Sequence, residues 1–288
     1  MKISYALIGV QKCGTSSVHS SISKHPDIIA PYGLKDKILL NDLLEINHEI
    51  DNPYNKKIFA SNVTYCHDLE QLNQLHNHNK DIYIILILRD PIERVVSAYR
   101  YAFERGIINL SLHELLLNEN PNKVNYEEKF LNNQLNLILQ TKYGQILNNV
   151  LVKFNESNII VCDYDCLNIN SDKFYNELLT FLKLKPFKIT SKKVNVTKGG
   201  TRFQLLNKII FNKSSKYSSI RSLLKFIIPK NSLKKVRDIV RKFNQKEKRF
   251  KATKEEINLI HQLLLDDQVL LKKTLNNFNL KKIGFKKK

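Results

Sequence analysis

The run IYIILIL, residues 82–88, met at once by Arg89, Asp90 and Pro91, constrains the fold more than any other stretch of the chain. It is too short to cross a bilayer, which takes about 20 apolar residues. Because its apolar residues do not alternate with polar ones, both of its faces must be buried. A strand of that kind belongs inside a parallel sheet covered by helices on both sides. Three further β-rich segments accompany it: SYALIG (4–9), KIFAS (57–61) and NIIVCDY (158–164). The segments between them carry helical periodicity. The expected fold is therefore α/β, a P-loop-like three-layer arrangement with a central parallel sheet flanked by helices.

Helix signals fill in the pattern. After the first strand, Val18 and Ile22 lie four apart and Pro26 follows, which predicts a short helix. Pro91 suits a first helical position with Asp90 as N-cap, and Val95, Val96 and Tyr99 give an apolar face. Residues 130–154 repeat the pattern with Leu135, Ile138, Leu139, Ile146 and Leu147. Lys173–Leu184 reads as an amphipathic helix ended by Pro186, and Lys254–Asn277 as another. Residues 100–129 are weakly patterned and suit a lid or substrate loop. The expected organisation is a single domain, 1–288, with an α/β core to residue 205 and a basic helical C-terminal extension, 206–288, packed on it.

The chain has 288 residues and a formal net charge of +20, with much of its lysine and arginine after residue 181. Such an excess implies an anionic partner: nucleotide, acidic glycan, lipid head group or nucleic acid. Lysine enrichment in a background rich in Asn and Ile accounts for it equally well. Cys13, Cys66, Cys162 and Cys166 lack paired spacing for zinc and are too few for a disulfide scaffold, so they read as reduced, buried thiols. The first strand begins almost at the N-terminus and leaves no room for a secretory signal. A cytoplasmic protein is expected.

GVQKCGTSS, residues 9–17, follows the first strand and opens the first helix. A strand, a glycine-containing loop and a helix N-terminus together present backbone N–H groups and a positive dipole end to an anion. Gly14 permits close approach, and Thr15, Ser16 and Ser17 add hydroxyls. In the ATP-type loop, GxxxxGK[ST], a lysine follows the second glycine. Here Thr15 occupies that place and the cation is Lys12, three residues upstream. Taken alone, such a loop is weak evidence, and an ordinary strand-to-helix turn is the alternative.

A second site lies in LRDPIERVVSAYR, residues 88–100. Arg89 stands at the carboxyl end of the most hydrophobic strand, where open parallel sheets bind ligands. Ser97 is six residues beyond Pro91, roughly 9 Å along a helix at about 1.5 Å per residue, within reach of a folded-back arginine. Pairing of Arg89 with Asp90 or Glu93 is the alternative.

Together these stretches resemble the sulfotransferases that use 3′-phosphoadenosine 5′-phosphosulfate, in particular the carbohydrate branch related to heparan sulfate sulfotransferases. GVQKCGTSSV is similar to the family's 5′-phosphosulfate loop, LRDPIERVVSAY to its 3′-phosphate motif, and VNVTKGGTR (194–202) to the late loop over the nucleotide. KYG, residues 142–144, is a further short match, and all are colinear over roughly 3–205. The resemblance implies that Lys12 contacts the phosphosulfate near its bridging oxygen, where a cation stabilises charge growing on the leaving phosphate. It implies that Gly14, Thr15, Ser16 and Ser17 hold the 5′-phosphate, Arg89 and Ser97 the 3′-phosphate, and that Lys198, Gly199 and Arg202 cover the nucleotide. No metal is called for.

The acceptor, a carbohydrate or glycoconjugate hydroxyl or amine, must lose a proton to a positioned base. The branch often uses glutamate in a Lys-Glu pair followed by aromatics. In GLKDKILLND, Lys35 and Asp36 match the pair, with Asp for Glu and Ile-Leu-Leu for the aromatics. Asp36 is thus the base candidate, and His67 or Asp68, in TYCHD after the second strand, is the alternative. Lys35 and Tyr65 are candidate acceptor contacts.

Two other classes compete. A P-loop nucleotide kinase or NTPase shares the loop geometry, but it wants lysine at Thr15 and an acidic strand end for magnesium, for which Asp163 and Asp165 leave some room. A basic module binding nucleic acid or another anionic polymer rests on the C-terminal third, where aromatics are not interleaved with the basic runs. The basic segment also suits peripheral contact with an anionic membrane.

Overall fold

The computed structural model describes residues 2–30, 56–104, 108, 110–117, 136–189 and 250–285. Lys35, Asp36, Lys198, Gly199, Arg202 and the basic stretch 206–249 lie outside the described residues, as does much of 100–129.

By its internal contacts the chain divides into two compact units. The first comprises Met1–Arg94, Leu139–Asn195 and Leu263–Lys288, and the second Val95–Ile138 and Val196–Gln262. The first unit is built on a six-stranded sheet with the order β2-β3-β1-β4-β5-β6. Its strands are β1 (Ile3–Gly9), β2 (Ile28–Ile29), β3 (Lys57–Ser61), β4 (Tyr83–Leu88), β5 (Ile159–Asp163) and β6 (Lys281–Ile283). Every pairing is parallel. The connecting helices are α1 (Thr15–Ile22), α2 (Leu69–His78), α3 (Pro91–Glu104), α4 (Leu112–Leu117), α5 (Tyr143–Leu151), α6 (Tyr164–Ile169), α7 (Ser171–Phe181) and α8 (Lys254–Asn277). This is the expected α/β sheet flanked by helices.

The apolar run that opened the sequence reading is the centre of the sheet. Ile84, Ile85, Leu86 and Ile87 are each 0% exposed, consecutive residues buried on opposite faces. Burying four such side chains removes on the order of 6–12 kcal/mol of apolar exposure at about 1.5–3 kcal/mol each. β4 pairs with β1 through Tyr5 to Tyr83 and Leu7 to Ile85, and with β5 through Ile87 to Cys162 and Leu88 to Asp163. Since β1 also pairs with β3, Leu7 opposite Ser61, the carboxyl ends of β1, β3, β4 and β5 form one edge of the sheet. From β1 the chain runs to β2 and β3 on one side and then to β4 on the other, so this edge contains a switch point of the kind where α/β sheets bind ligands.

The outer strands β2 and β6 were not expected. They are two and three residues long, and in β6 Lys281 and Lys282 are exposed while only Ile283 is buried. Edge strands this short carry too little alternation to be read locally.

Helix α5 falls within the apolar pattern of 130–154, and its cap is tertiary. The carboxylate of Asp267, on α8, accepts from the backbone N–H groups of Gly144 and Gln145, both at 2.9 Å. Ile146 and Leu147 fall in α5 as expected, whereas Leu139 lies in a preceding 3-10 turn, Leu139–Thr141. α8 occupies the expected span. Thr253 and Glu256 form a reciprocal cap at its start, Thr253 N–H to Glu256 Oε2 at 2.7 Å and Glu256 N–H to Thr253 Oγ1 at 3.2 Å.

In the second unit, Tyr99 of α3 stacks on Phe103, ring centroids 5.5 Å apart, and meets Phe250 at 4.8 Å. Its hydroxyl donates to the Leu110 carbonyl at 3.2 Å.

Candidate active site

The loop between β1 and α1 is tight. Val10 N–H donates to the Ile87 carbonyl at 3.0 Å, extending the β1–β4 ladder, and Cys13 N–H closes a turn onto the Val10 carbonyl at 3.2 Å. Lys12 adopts a left-handed conformation, φ 73°, and so does Gly14, φ 81°. Left-handed backbone costs a non-glycine residue roughly 1–2 kcal/mol, so Lys12 is held there by its surroundings.

Two arginines supply that hold. Arg94 Nε donates to the Gln11 carbonyl at 3.2 Å, and Arg89 Nη1 to the Lys12 carbonyl at 3.4 Å. Arg89 also pairs with Glu93, Nη2 to Oε2 at 2.6 Å, and lies 4.7 Å over the Tyr164 ring. That ring packs on Gly14: a Cβ added there would fall 3.0 Å from Tyr164 Cε2 and from Leu167 Cδ2. Arg89 thus makes the pairing with Glu93 that was the alternative reading, and it also reaches the loop.

Gly14 is the N-cap of α1, so no side chain caps the helix start, and its first turn carries no acidic residue. Thr15 is buried, while Ser16 and Ser17 are half-buried on the first turn. Ser17 and Val18 N–H groups bond back to the Gly14 carbonyl at 2.9 and 3.1 Å. Cys13 is 0% exposed, and burial pushes its thiol up to about 11, a packing residue as the sequence implied.

The segment after β3 runs alongside this loop. Asn62 N–H donates to the Leu7 carbonyl at 3.0 Å and Cys66 N–H to the Ile8 carbonyl at 3.2 Å. Cys66 seals against Gly9, where an added Cβ would sit 2.6 Å from its Sγ. Tyr65 is 2% exposed. His67 Nε2 is buried and has no hydrogen-bond partner among the described residues. Burial, then the charge of Arg94, pushes His67 down to about 4, so the imidazole is neutral at physiological pH. Asp68 is engaged differently: its carboxylate caps α2, accepting from Glu70 and Gln71 N–H at 3.1 and 3.2 Å.

Asp163, at the end of β5, caps α6 by accepting from Asp165 N–H at 2.9 Å. Among the described residues no group of three or more His, Cys, Asp or Glu is gathered so as to hold a metal ion. Ser97 is half-buried on α3. At the start of α3 the expected cap is present, Glu93 N–H to Asp90 Oδ1 at 2.8 Å.

Sequence reasoning missed Arg94, among the described residues the largest side chain buried below 2% exposure. A signal existed: Arg94 shares a helical face with Ala98 and Ala102, at i+4 and i+8, and both are buried.

The sequence matches the sulfotransferase domain family over residues 4–263. The chain belongs to this family. Sulfotransferases of the family generally use 3′-phosphoadenosine 5′-phosphosulfate as sulfate donor. The residues present fit such a group: Lys12 and Gly14 stand in a loop whose carbonyls bond to Arg89 and Arg94, and the helix start that follows is uncapped and non-acidic. Among solved structures, a sulfotransferase from Alicyclobacillus acidocaldarius shares the fold, with TM-score 0.58 and 16% identity over 68% of this chain and 87% of that one. The sulfotransferase domain of the curacin biosynthetic pathway aligns with TM-score 0.45 and 12% identity, covering 65% and 76%. That of the Synechococcus PCC 7002 olefin synthase aligns with TM-score 0.46 and 10% identity, covering 95% and 94%. No curated protein matched this sulfotransferase. No helix among the described residues is long and apolar enough to cross a membrane.

Proposed function

We propose that this sulfotransferase moves a sulfuryl group from 3′-phosphoadenosine 5′-phosphosulfate onto a hydroxyl or amine of a carbohydrate or glycoconjugate, by in-line displacement. The observation that carries the donor reading is the loop of residues 10–14, with Lys12 left-handed and its flanking carbonyls held by two arginines. When bound, the donor supplies an electrophilic sulfuryl group on a phosphate leaving group. Lys12 stabilises the charge developing on that phosphate, which no lysine after the second glycine is present to do. Gly14, Thr15, Ser16 and Ser17 hold the 5′-phosphate at the start of α1. Arg89 and Ser97 bind the 3′-phosphate, and Lys198, Gly199 and Arg202 cover the nucleotide. The family match runs across both compact units, which supports reading residues 1–288 as one sulfotransferase domain.

Asp36 takes the acceptor proton, with His67 as the alternative base. His67 Nε2, buried and without a hydrogen-bond partner among the described residues, is the observation that supports the alternative. Lys35 and Tyr65 belong to the acceptor side; Tyr65, being buried, serves there by shape. The carbohydrate branch rests on the motif resemblance alone. A cytoplasmic location, with the basic residues touching an anionic membrane face, is part of the same proposal. The test is a glycan panel incubated with isotopically labelled donor and read by mass spectrometry. Label on a glycan hydroxyl or amine is the expected result; label on non-carbohydrate acceptors alone overturns the carbohydrate assignment.

A further inference from the structure

We propose that Arg94 is the positioning residue of the donor loop: its buried guanidinium holds the Gln11 carbonyl inward, turns the Lys12 amide outward and ties the loop to the turn that opens α5. The proposal rests on the donor reading of that loop.

Arg94 is 0% exposed although it lies on α3 between Glu93 and Val95. Taking a guanidinium out of water costs several kcal/mol, and good geometry must offset that cost. Here the fork is filled on two sides. Nε donates to the Gln11 carbonyl at 3.2 Å, and Nη2 to the Gln11 side-chain oxygen at 3.4 Å and to Gln140 Oε1. Nη1 donates to the Thr141 hydroxyl at 3.0 Å. One planar side chain thereby joins the loop to residues some 130 positions later, a span that the compact ammonium of lysine cannot fork across.

A trans peptide points its N–H opposite to its carbonyl. With the Gln11 carbonyl drawn to Arg94, the Lys12 N–H points away from the buried guanidinium, to the side where the donor reading places the anion. The next carbonyl, that of Lys12, is drawn to Arg89. Two successive peptide dipoles thus turn their negative ends to fixed cations, the reverse of what an anion site must avoid presenting. The same two contacts bracket the left-handed Lys12. The charge also reaches the groups around the loop: burial raises the Cys13 and Cys66 thiols against the opposing pull of Arg94, and burial and Arg94 together lower His67.

The test compares full-length wild type, Arg94→Lys and Gln140→Leu. Hydrogen exchange is measured without ligand, and then titration with 3′-phosphoadenosine 5′-phosphate follows. Arg94→Lys keeps the charge and loses the fork, and Gln140→Leu leaves Arg94 in place with one partner removed. In Arg94→Lys, peptides covering residues 9–17 should exchange about tenfold faster while those covering β5 keep their protection, and the nucleotide Kd should rise about tenfold. Gln140→Leu should show a smaller shift in the same peptides. Unchanged loop exchange in both variants, or protection lost evenly across the sheet, overturns the proposal. If Arg94→Lys does not fold, Gln140→Leu decides alone by the same criterion. A wild type that fails to bind the nucleotide sinks the donor reading, while the exchange data still decide whether Arg94 holds the loop.

Discussion

The guanidinium of Arg89 reaches the carbonyl of Lys12 at 3.4 Å, joining the end of β4 to the loop after β1 across 77 residues of sequence. This contact makes the two residues separable in function. Arg89→Ala removes both a cation and a support of the loop, so nucleotide affinity should fall by about 10–100-fold, as expected when a charge-assisted contact worth 1.5–3 kcal/mol is lost. Lys12→Ala should instead lower kcat by about 10²–10³-fold with a much smaller change in nucleotide affinity, since its charge is needed in the transition state. Calorimetric titration with 3′-phosphoadenosine 5′-phosphate and initial rates separate the two. Both variants at full activity would refute the assignment.

Lys12→Gly isolates strain from charge. A glycine accepts φ 73° without the steric cost that lysine bears. The variant should therefore be as stable as wild type or more so, up to about 1 kcal/mol, and yet catalytically impaired. A thermal melt that drops on this substitution would show that the lysine side chain itself stabilises the loop.

The KYG match has a structural cause at Gly144. A Cβ there would lie 2.6 Å from the Asp267 carbonyl oxygen and 2.7 Å from Leu271 N, so α5 and α8 can cross this closely only over a glycine. Gly144→Ala should cost about 1–3 kcal/mol by forcing the helices apart. Asp267→Ala should cost about 1–2 kcal/mol through loss of the α5 cap. Denaturant unfolding of each variant measures both; a neutral Gly144→Ala would contradict the crossing.

His67 gives the fold a dependence on acid. Its folded-state pKa is lowered to about 4 from 6.5, so the unfolded chain binds the proton first as pH falls. Stability from this group is complete above pH 6.5 and is lost between 6.5 and 4, by an amount on the order of 3 kcal/mol at 1.36 kcal/mol per pKa unit. Since other groups titrate in the same window, the readout is the difference between wild type and His67→Asn. The variant should lose less stability over that interval, and equal slopes would show that His67 is hydrated.

The sheet's inner strands were legible because β4 is buried on both faces and so writes an unbroken apolar run. α8 was legible from a buried stripe that includes Ile260, Leu264 and Thr274 at helical spacing. The loop could be read from Gly9, Lys12 and Gly14. Arg94 was not picked out because an arginine within ERVVSAYR reads as a solvated charge, and the carbonyl that buries it belongs to Gln11, 83 residues earlier. The cap of α5 was not legible for a similar reason: Asp267 is 123 residues from Gly144. Local pattern reports periodicity and turn chemistry; it does not report partners brought in by the fold.

The most direct measurement is thermal unfolding of the wild-type chain with 3′-phosphoadenosine 5′-phosphate, with adenosine 5′-phosphate, and with ATP and magnesium. A ligand that binds only the native state stabilises it, by about 2.7 kcal/mol at a hundredfold excess over Kd. The donor-loop assignment predicts a clear rise in Tm with the bisphosphate nucleotide, and a smaller one with the nucleotide that lacks the 3′-phosphate. No rise with the bisphosphate nucleotide, together with stabilisation by ATP and magnesium, would contradict it.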